Sequence, residues 1–165
     1  MLYPPENLST KTANPSDSAA IRRLALDAKI DAWSEADYSD EISRPDSFVI
    51  TTTDSDVLVG FLVARIVPGT AESPDADLYN IAVDPEAKRQ GIGSRLLATL
   101  VEQLVKKSVG NVWLEVRESN AEAIAFYERY GFTAEVTRPN FYTNPTENAV
   151  IMRLRMASRL DVSEA

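Results

Sequence analysis

The chain has 165 residues, 44% of them apolar, which predicts one globular domain with a substantial core. The lack of cysteine and histidine excludes disulfides, thiolate nucleophiles, Ser-His-Asp relays and ordinary zinc sites, so proton transfer would fall to Asp, Glu, Tyr, Lys or a terminus. A formal net charge of −8 argues against nucleic-acid binding and favours cationic partners such as basic polypeptides. The apolar runs are too short to span a membrane and the first residues do not have the pattern of a secretion signal, so we expect a cytoplasmic protein.

Two amphipathic helices and a strand hairpin are predicted after a polar, extended lead-in at residues 1–15. Apolar residues spaced three and four apart indicate the first helix, and Ser34-x-x-Asp37 resembles a capping box at the start of the second. Two apolar runs flank Asp54-Ser55-Asp56, which is typical of a hairpin turn. The predicted elements are helices from Ser16 or Asp17 to about Asp31 and from about Ser34 to just before Arg44, and strands at Ser47–Thr53 and Val57–Val67.

The second half of the chain alternates strands with helices, and the last nine residues are predicted to be a frayed tail. Ser119 or Asn120 would cap the second helix of this half, and Gly131 would end it. Without a repeat or a linker, the pattern predicts one α/β domain with a mixed sheet. The predicted elements are strands at Leu78–Val83, Asn111–Val116, Thr133–Thr137 and Asn148–Met156, and helices at about Ile92–Lys107 and Ala121–Tyr130.

A glycine-containing turn joins the strand that ends in Asn80-Ile81-Ala82-Val83-Asp84-Pro85 to the helix that follows Arg89-Gln90-Gly91-Ile92-Gly93-Ser94. Free backbone N–H groups and the positive end of the helix dipole could bind a phosphate there, and glycine allows a close approach or a positive φ. The turn is not a dinucleotide fingerprint, because position 96 is leucine, nor a P-loop, because Gly93-Ser94-Arg95 lacks the lysine. Taken alone, it is either a phosphate site or a glycine-softened turn without a ligand.

Three polar residues in the second half are candidates for chemistry. Glu115 shares one face of its strand with Trp113 and Arg117. An acid in the middle of a strand covered on both faces needs a reason, although Glu115 could also be a solvated or Arg117-paired surface acid. Asn120 could simply cap the next helix, and Tyr127 could simply be a helix aromatic packed on the sheet.

Arg89-Gln90-Gly91-Ile92-Gly93 resembles the R/Q-x-x-G-x-G/A motif of the GCN5-related N-acetyltransferases (GNAT), which bind acetyl-coenzyme A. The likeness extends to the RimI-type branch of that family, which acetylates the N-terminal alanine of a small-subunit ribosomal protein. It covers roughly residues 17–156 and is dense from 78 to 132. The other matching motifs are Trp33-Ser34-Glu35, Asn80–Pro85, Leu114–Arg117 with Ser119-Asn120, Phe126-Tyr127-Glu128 with Gly131-Phe132, and Arg138–Tyr142.

The resemblance implies a GNAT fold, which is a central mixed, mostly antiparallel sheet with splayed strands, flanked by helices. Residues 1–165 would form a single GNAT domain with its core at about 17–156. Acetyl-coenzyme A would be the co-substrate, and no metal would be needed. Backbone groups of Ile81, Ala82 and Val83 would bind the pantetheine arm, with the Val83 N–H polarising the thioester carbonyl, and Asn120 would contact the cofactor near the end of that arm. The pyrophosphate would lie on Arg89, Gln90, Gly91, Ile92, Gly93 and Ser94, with added charge from Arg89.

The same resemblance makes Glu115 the general base and Tyr127 the general acid of direct acetyl transfer. A carboxylate and a phenol suit this reaction in a chain without histidine, because the amine must lose a proton and the departing thiolate must gain one. Asp75 and Asp77, just before the cofactor strand, are rival acids for proton removal.

Trp33 and Tyr142 would lie on the acceptor side, which favours a protein N-terminus, in particular that of a ribosomal protein, as the substrate. A lysine side chain, a polyamine, a drug amine or a non-catalytic acyl-coenzyme A-binding module are the alternatives. Ser94 and Pro139 replace basic residues that are frequent in the family, and Pro139 leaves Arg138 as the cation of its loop. We expect a monomer that binds neither nucleic acid nor membranes directly.

Overall fold

A computed structural model describes residues 7–30, 33–69 and 72–156. The chain divides into two compact units, Met1–Arg65 with Leu78–Leu104 and Ile66–Asp77 with Val105–Ala165. The helices are α1 (Ser18–Asp27), α2 (Glu35–Ile42), α3 (Ile92–Lys106) and α4 (Ala121–Tyr130). The strands are β1 (Leu8–Thr12), β2 (Ser47–Asp54), β3 (Val57–Val67), β4 (Asp75–Val83), β5 (Asn111–Arg117), β6 (Thr133–Tyr142) and β7 (Glu147–Arg155). None of the described helices is both long and apolar enough to cross a lipid bilayer.

In the first unit the hydrogen-bonded strand order is β1-β2-β3-β4. The predicted hairpin is confirmed, because β2 and β3 pair antiparallel around Ser55 and Asp56, whose φ angles are 48° and 68°. Positive φ at both central residues matches the right-handed twist of paired strands. Within the described part of the predicted lead-in, Leu8–Thr12 are extended as expected and form β1, which pairs antiparallel with β2. Residues 1–6 lie outside the described part of the chain.

The two helices near the start of the first unit follow the predicted order, but α1 is shorter than expected. It ends at Asp27 rather than near Asp31, because Lys29 has a φ of 57°, which a right-handed helix does not allow. The predicted capping box of α2 is confirmed, since the Ser34 hydroxyl accepts the Asp37 N–H at 3.1 Å. Position 31 itself lies outside the described residues.

The core of the first unit is built from one face of each helix and the inward side chains of the strands. Helix α3 begins at Ile92 as predicted and has one apolar face. The buried residues of that face are Ile92, Leu96, Leu97, Leu100, Val101 and Leu104. A second buried cluster consists of Ala13, Ile21, Leu24, Ala25, Tyr38, Val49, Phe61, Val63 and Ala82.

In the second unit the strand order is β4-β5-β7-β6. β5 pairs antiparallel with β7 along its whole length, and β6 pairs antiparallel with β7. The register of β4 with β5 is parallel and covers Ala76↔Val112 and Asp77↔Trp113. These pairings confirm a seven-stranded mixed sheet that is mostly antiparallel and flanked by helices.

The end of the chain differs from the prediction at β6. The strand continues to Tyr142 instead of ending at Thr137, with a register shift between Arg138 and Tyr142. The shift accommodates Pro139, which has no N–H for the ladder, and Asn140 adopts a φ of 54° there. Helix α4 ends at Gly131, with a φ of 119°, as predicted. The predicted tail at residues 157–165 lies outside the described part of the chain.

Candidate active site

The glycine turn of the first unit has the local geometry of an anion site. Asp84 follows β4 and donates its N–H to the Val59 carbonyl at 2.8 Å, which ties the turn to β3. Arg89 and Gly91 both have positive φ, 66° and 75°. The first turn of α3 contains no acidic residue. The Arg95 N–H donates to the Gly91 carbonyl at 3.0 Å, and the N–H groups of the helix residues before Arg95 have no partner within the helix. The N–H groups of residues 92–94 are therefore available to an anion.

Gly91 leaves open space above this turn. A Cβ added there would meet no atom within 4 Å, and its φ of 75° favours glycine. Open space gives a phosphate access to the backbone, and the left-handed φ is a separate reason for glycine at this position. Gly91 is therefore suited to a ligand as well as to a turn.

Gly60 on β3 packs against the start of α3, a role that the sequence analysis did not single out. A Cβ at this buried position would lie 2.7 Å from Ile92 Cγ2, 3.2 Å from Leu96 Cδ1 and 3.4 Å from the Ala82 carbonyl oxygen. Glycine thus lets the start of α3 and the end of β4 pack closely on β3. The available signal was a glycine inside an otherwise apolar strand run, which often indicates a close approach of neighbouring groups.

The end of β4 alternates between buried and half-buried positions. Ala82 is buried in the core cluster, whereas Ile81 and Val83 are half-buried. In the chain, all three residues come after Ala76 and Asp77, the two residues of β4 that pair with β5.

Trp33 belongs to an aromatic group in the first unit. Its ring stacks on Tyr38 with the ring centres 5.3 Å apart and is tilted against Tyr79 at 6.0 Å. The Arg65 guanidinium lies 5.4 Å from the centre of the Tyr79 ring and forms an ion pair with buried Glu41. Burial acts to raise the pKa of Glu41, but hydrogen bonds from Arg65 and Ser47 outweigh it and hold the pKa below its usual range.

Glu115 in the second unit is exposed, and its strand alternates as predicted, with the side chain on the face that carries Trp113 and Arg117. Of the alternatives left open by the sequence, the solvated surface acid is the one observed. β5 pairs antiparallel with β7, and an antiparallel sheet can face water on one side. Its cationic neighbour is Arg138, whose Nη1 lies 3.9 Å from Glu115 Oε1, rather than Arg117.

Asn120 and Tyr127 are both placed by α4. The Asn120 side-chain oxygen accepts the Ala123 N–H at 3.2 Å, so Asn120 rather than Ser119 is the helix cap. Tyr127 is 8% exposed, and its ring centre lies 5.4 Å from that of Phe126. Burial, and secondarily the charge of Tyr142, raise the pKa of Tyr127 above its usual range.

The two rival acids differ in their surroundings. Asp75 is buried, and its carboxylate accepts hydrogen bonds from the Asn111 backbone and side chain at 3.1 Å and from Trp113 Nε1 at 3.0 Å. Asp75 therefore links β4 to β5 and has both oxygens engaged. Burial, and secondarily the charge of Asp75, raise the pKa of Asp77 above its usual range.

A sequence model described as "Acetyltransferase (GNAT) family" matches residues 18–132. The chain belongs to the GNAT family of acetyltransferases. This GNAT chain is 41% identical to the [Ribosomal protein bS18]-alanine N-acetyltransferase of Escherichia coli K12. The match extends over 142 residues, which are 84% of this chain and 91% of the relative. The relative of the same name from Haemophilus influenzae is 41% identical over 98 residues, 58% of this chain and 63% of that one.

Solved structures agree with this membership. The crystal structure of the ribosomal-protein-S18-alanine N-acetyltransferase from Escherichia coli superposes with a TM-score of 0.80 at 34% identity, over 90% of this GNAT chain and 94% of that one. Arabidopsis thaliana NAA60 in complex with acetyl-CoA gives a TM-score of 0.83 at 17% identity, over 92% and 99% of the two chains. At that identity the second match supports the fold alone.

The predicted site residues of the GNAT chain fall in both units. The first unit contains Trp33, residues 81–83 and residues 89–94, and Trp33 and Ala82 belong to or pack on one core cluster. The second unit contains Glu115, Asn120, Tyr127 and Tyr142. Among the described residues, no group of three or more acidic side chains could hold a metal ion.

Proposed function

We propose that this GNAT chain transfers an acetyl group from acetyl-coenzyme A to the N-terminal α-amine of a protein, the N-terminal alanine of ribosomal protein bS18. The observation that carries the proposal is the 41% identity that spans 91% of the Escherichia coli enzyme of that name. Similarity to a solved structure of the same enzyme, at 34% identity, supports it.

In this proposal the backbone N–H groups at the start of α3 bind the pyrophosphate of the coenzyme. Arg89 would add positive charge, and residues 89–94, which include the turn and the first residues of α3, would surround the phosphates. The positive φ of Gly91 and the open space above it support this assignment. Backbone groups of Ile81, Ala82 and Val83 would bind the pantetheine arm, and the Val83 N–H would stabilise the oxyanion. Asn120, whose side-chain oxygen caps α4, would contact the cofactor near the end of that arm.

An α-amine acceptor matches the limited means of proton removal in a chain without histidine. A free α-amino group has a pKa near ~7.7–8, so its deprotonation at pH 7 costs about 1 kcal/mol. For a lysine amine, with a pKa near ~10.4, the cost is about 4–5 kcal/mol. One carboxylate is therefore a sufficient base for the α-amine.

We assign that base to Glu115. Its side chain is 44% exposed, so it could take the proton directly or through a water molecule and return it to solvent. Arg138, 3.9 Å away, would disfavour a second cation beside it and so favour the neutral, nucleophilic form of the amine. Asp77 is the rival base, and replacing it by asparagine separates the two assignments.

We assign the general acid to Tyr127. Burial disfavours the phenolate, so the side chain remains neutral and keeps its hydroxyl hydrogen at ordinary pH. The hydroxyl would donate a hydrogen bond to the sulfur as the C–S bond breaks. Because the raised pKa also makes Tyr127 a weaker acid, this hydrogen bond to the developing thiolate would precede complete proton transfer. Trp33 and Tyr142 would bind the acceptor peptide.

The acceptor is tested with a peptide that has the N-terminal sequence of bS18, a free N-terminal alanine and an internal lysine. The control is the same peptide with a formylated N-terminus. We expect acetyl-coenzyme A to modify the α-amine of the first peptide and neither amine of the second, as measured by mass spectrometry. Acetylation of the lysine in both peptides would show that the acceptor assignment is wrong.

The roles of the two side chains are tested by Glu115→Gln and Tyr127→Phe. Each variant should lower kcat/KM by about 10²-fold or more, measured over about pH 6–9. Glu128→Gln and Tyr130→Phe, on α4, are the matched controls and should leave kcat/KM close to that of the wild type. If Glu115→Gln and Tyr127→Phe keep wild-type kcat/KM over this range, the roles are refuted. A large loss in Asp77→Asn with none in Glu115→Gln would transfer the base role to Asp77.

A further inference from the structure

Arg117 binds the turn that joins β6 to β7, residues 143–146. Its Nη1 donates to the Pro145 carbonyl at 3.1 Å, and its Nη2 donates to the Thr143 carbonyl at 3.2 Å. Nη1 also lies 3.3 Å from Glu147 Oε2, with which Arg117 forms an ion pair. One guanidinium thus holds two carbonyls of the turn and the first residue of β7.

The same guanidinium covers the ring of Tyr142. Its central carbon lies 4.4 Å from the ring centre, within the range of a cation–π contact. Tyr142 is the last residue of β6 and pairs with Glu147 across the hairpin. Arg117 therefore contacts both residues at the base of the turn as well as the turn itself.

Glu147 extends this arrangement to the segment that precedes α4. Its Oε1 accepts the Ser119 N–H at 2.6 Å, one residue before the Asn120 cap. Hydrogen bonds from Ser119, and secondarily from Arg117, hold the pKa of Glu147 below its usual range, so the carboxylate is ionised at neutral pH. Arg117 and Glu147 together connect the end of β5, the start of α4 and the β6–β7 turn.

Tyr142 in turn lies within electrostatic reach of the buried Tyr127 hydroxyl, whose ionisation it disfavours. A shift of the Tyr142 ring would therefore change the surroundings of the assigned general acid.

We infer that Arg117 is a positioning residue for the acceptor, because it holds the Tyr142 ring and the β6–β7 turn in place. The inference rests on the proposed function, which gives Tyr142 its contact with the acceptor peptide. A guanidinium is required because its planar fork reaches two carbonyls and a carboxylate while its face covers the ring. A lysine at this position would keep the charge but could not reproduce all these contacts.

The test uses Arg117→Met and Arg117→Lys in the full chain, with Arg153→Met as the matched control. Arg153 also forms an ion pair, in which its Nη2 lies 2.9 Å from Glu135 Oε1. Its guanidinium carbon lies 5.2 Å from the centre of the Trp113 ring. Its side chain is 20% exposed, compared with 28% for Arg117, but its contacts are with Glu135 and Trp113. Arg153 therefore resembles Arg117 in having an ion pair and a similar exposed fraction, but it contacts Glu135 and Trp113 instead of the β6–β7 turn.

We expect Arg117→Met to raise KM for the bS18 peptide by about tenfold or more, while KM for acetyl-coenzyme A stays within about twofold. Arg117→Lys should lie between Arg117→Met and the wild type, and Arg153→Met should leave both constants unchanged. Hydrogen exchange of residues 141–147, measured by mass spectrometry without substrates, should be faster in Arg117→Met than in the wild type.

An unchanged peptide KM or unchanged exchange in a folded Arg117→Met protein overturns the inference. If Arg117→Met does not fold, the peptide KM and the hydrogen exchange of residues 141–147 are measured in Arg117→Lys instead. Wild-type values of either in that variant overturn the inference. An equal rise in KM for both substrates would indicate a general structural role and also overturns it. A wild-type protein that acetylates no peptide would refute the proposed function instead, and the exchange measurement would still show whether Arg117 holds the turn.

Discussion

Replacing Gly60 by alanine tests whether the close packing of β3 on the start of α3 sets the affinity for the coenzyme. The added Cβ would lie 2.7 Å from Ile92 Cγ2 and 3.2 Å from Leu96 Cδ1. The shorter distance is about 1 Å less than the optimum for two carbon atoms. Either the Ile92 side chain must rotate or the first turn of α3 must move, and the N–H groups of that turn are the ones assigned to the pyrophosphate.

The expected magnitude follows from two opposing effects. Overpacking of a core costs about 1–3 kcal/mol, whereas replacing glycine by alanine recovers about 0.4–1 kcal/mol through the unfolded chain. We therefore expect a net loss of about 1–2 kcal/mol, which lowers Tm by about 2–8 °C in a chain of this size. Because the N–H groups that we assign to the pyrophosphate would shift, KM for acetyl-coenzyme A should rise by about three- to tenfold while KM for the peptide stays constant.

The assay is thermal unfolding together with steady-state kinetics in which each substrate is varied in turn. Gly110→Ala is the matched control, because the nearest neighbour of its added Cβ is Asp75 Oδ1 at 3.5 Å, an ordinary contact. Combining Gly60→Ala with Ile92→Ala removes the clash, so the pair should show a favourable interaction energy of about 0.5–3 kcal/mol. Wild-type Tm and wild-type KM for acetyl-coenzyme A in Gly60→Ala would refute the reasoning.

Three further predictions follow from single residues. Gly91→Ala should cost about 1–2 kcal/mol because its φ of 75° is left-handed, and it should weaken acetyl-coenzyme A binding in calorimetry; an unchanged Kd would contradict the phosphate assignment. Asp75→Asn should lower stability by about 1–3 kcal/mol, because the carboxylate accepts from Trp113, and a loss of kcat at wild-type Tm would instead make Asp75 a base. The pKa of Glu41 is lowered from 4.5, so its pairing with Arg65 stabilises the fold above about pH 4.5, and this contribution is lost as pH falls through the folded pKa. Glu41→Gln should therefore flatten the acid side of the stability curve measured by urea unfolding, and equal slopes in both proteins would count against this.

Features that depend on neighbouring residues in the chain were predicted well. The capping box at Ser34, the hairpin turn at Ser55 and Asp56, and the helix end at Gly131 are set by hydrogen bonds or φ preferences within a few residues. The glycine turn before α3 is local in the same sense. Its sequence pattern was therefore enough to place a candidate anion site and to suggest the family.

Features that depend on distant residues were missed or mispredicted. The sequence left open whether Glu115 lies on a covered face or is a solvated or Arg117-paired surface acid. It is exposed, and its neighbour Arg138 belongs to β6, so this contact depends on the strand order β5-β7-β6. The extension of β6 past Pro139 likewise depends on a register shift against β7. Sequence spacing contains no information on these contacts.

By itself the sequence determined the chemistry that is open to this protein: carboxylates and phenols without histidine or cysteine, and a glycine turn at a helix start. These are properties of residue types and of short segments, so they need no knowledge of the fold. Only the tertiary structure decided that Gly60 lies under the start of α3 and that Arg117 holds the turn of Tyr142. Both contacts join segments that are far apart in the chain, and they form only when the strands pair and the helix packs.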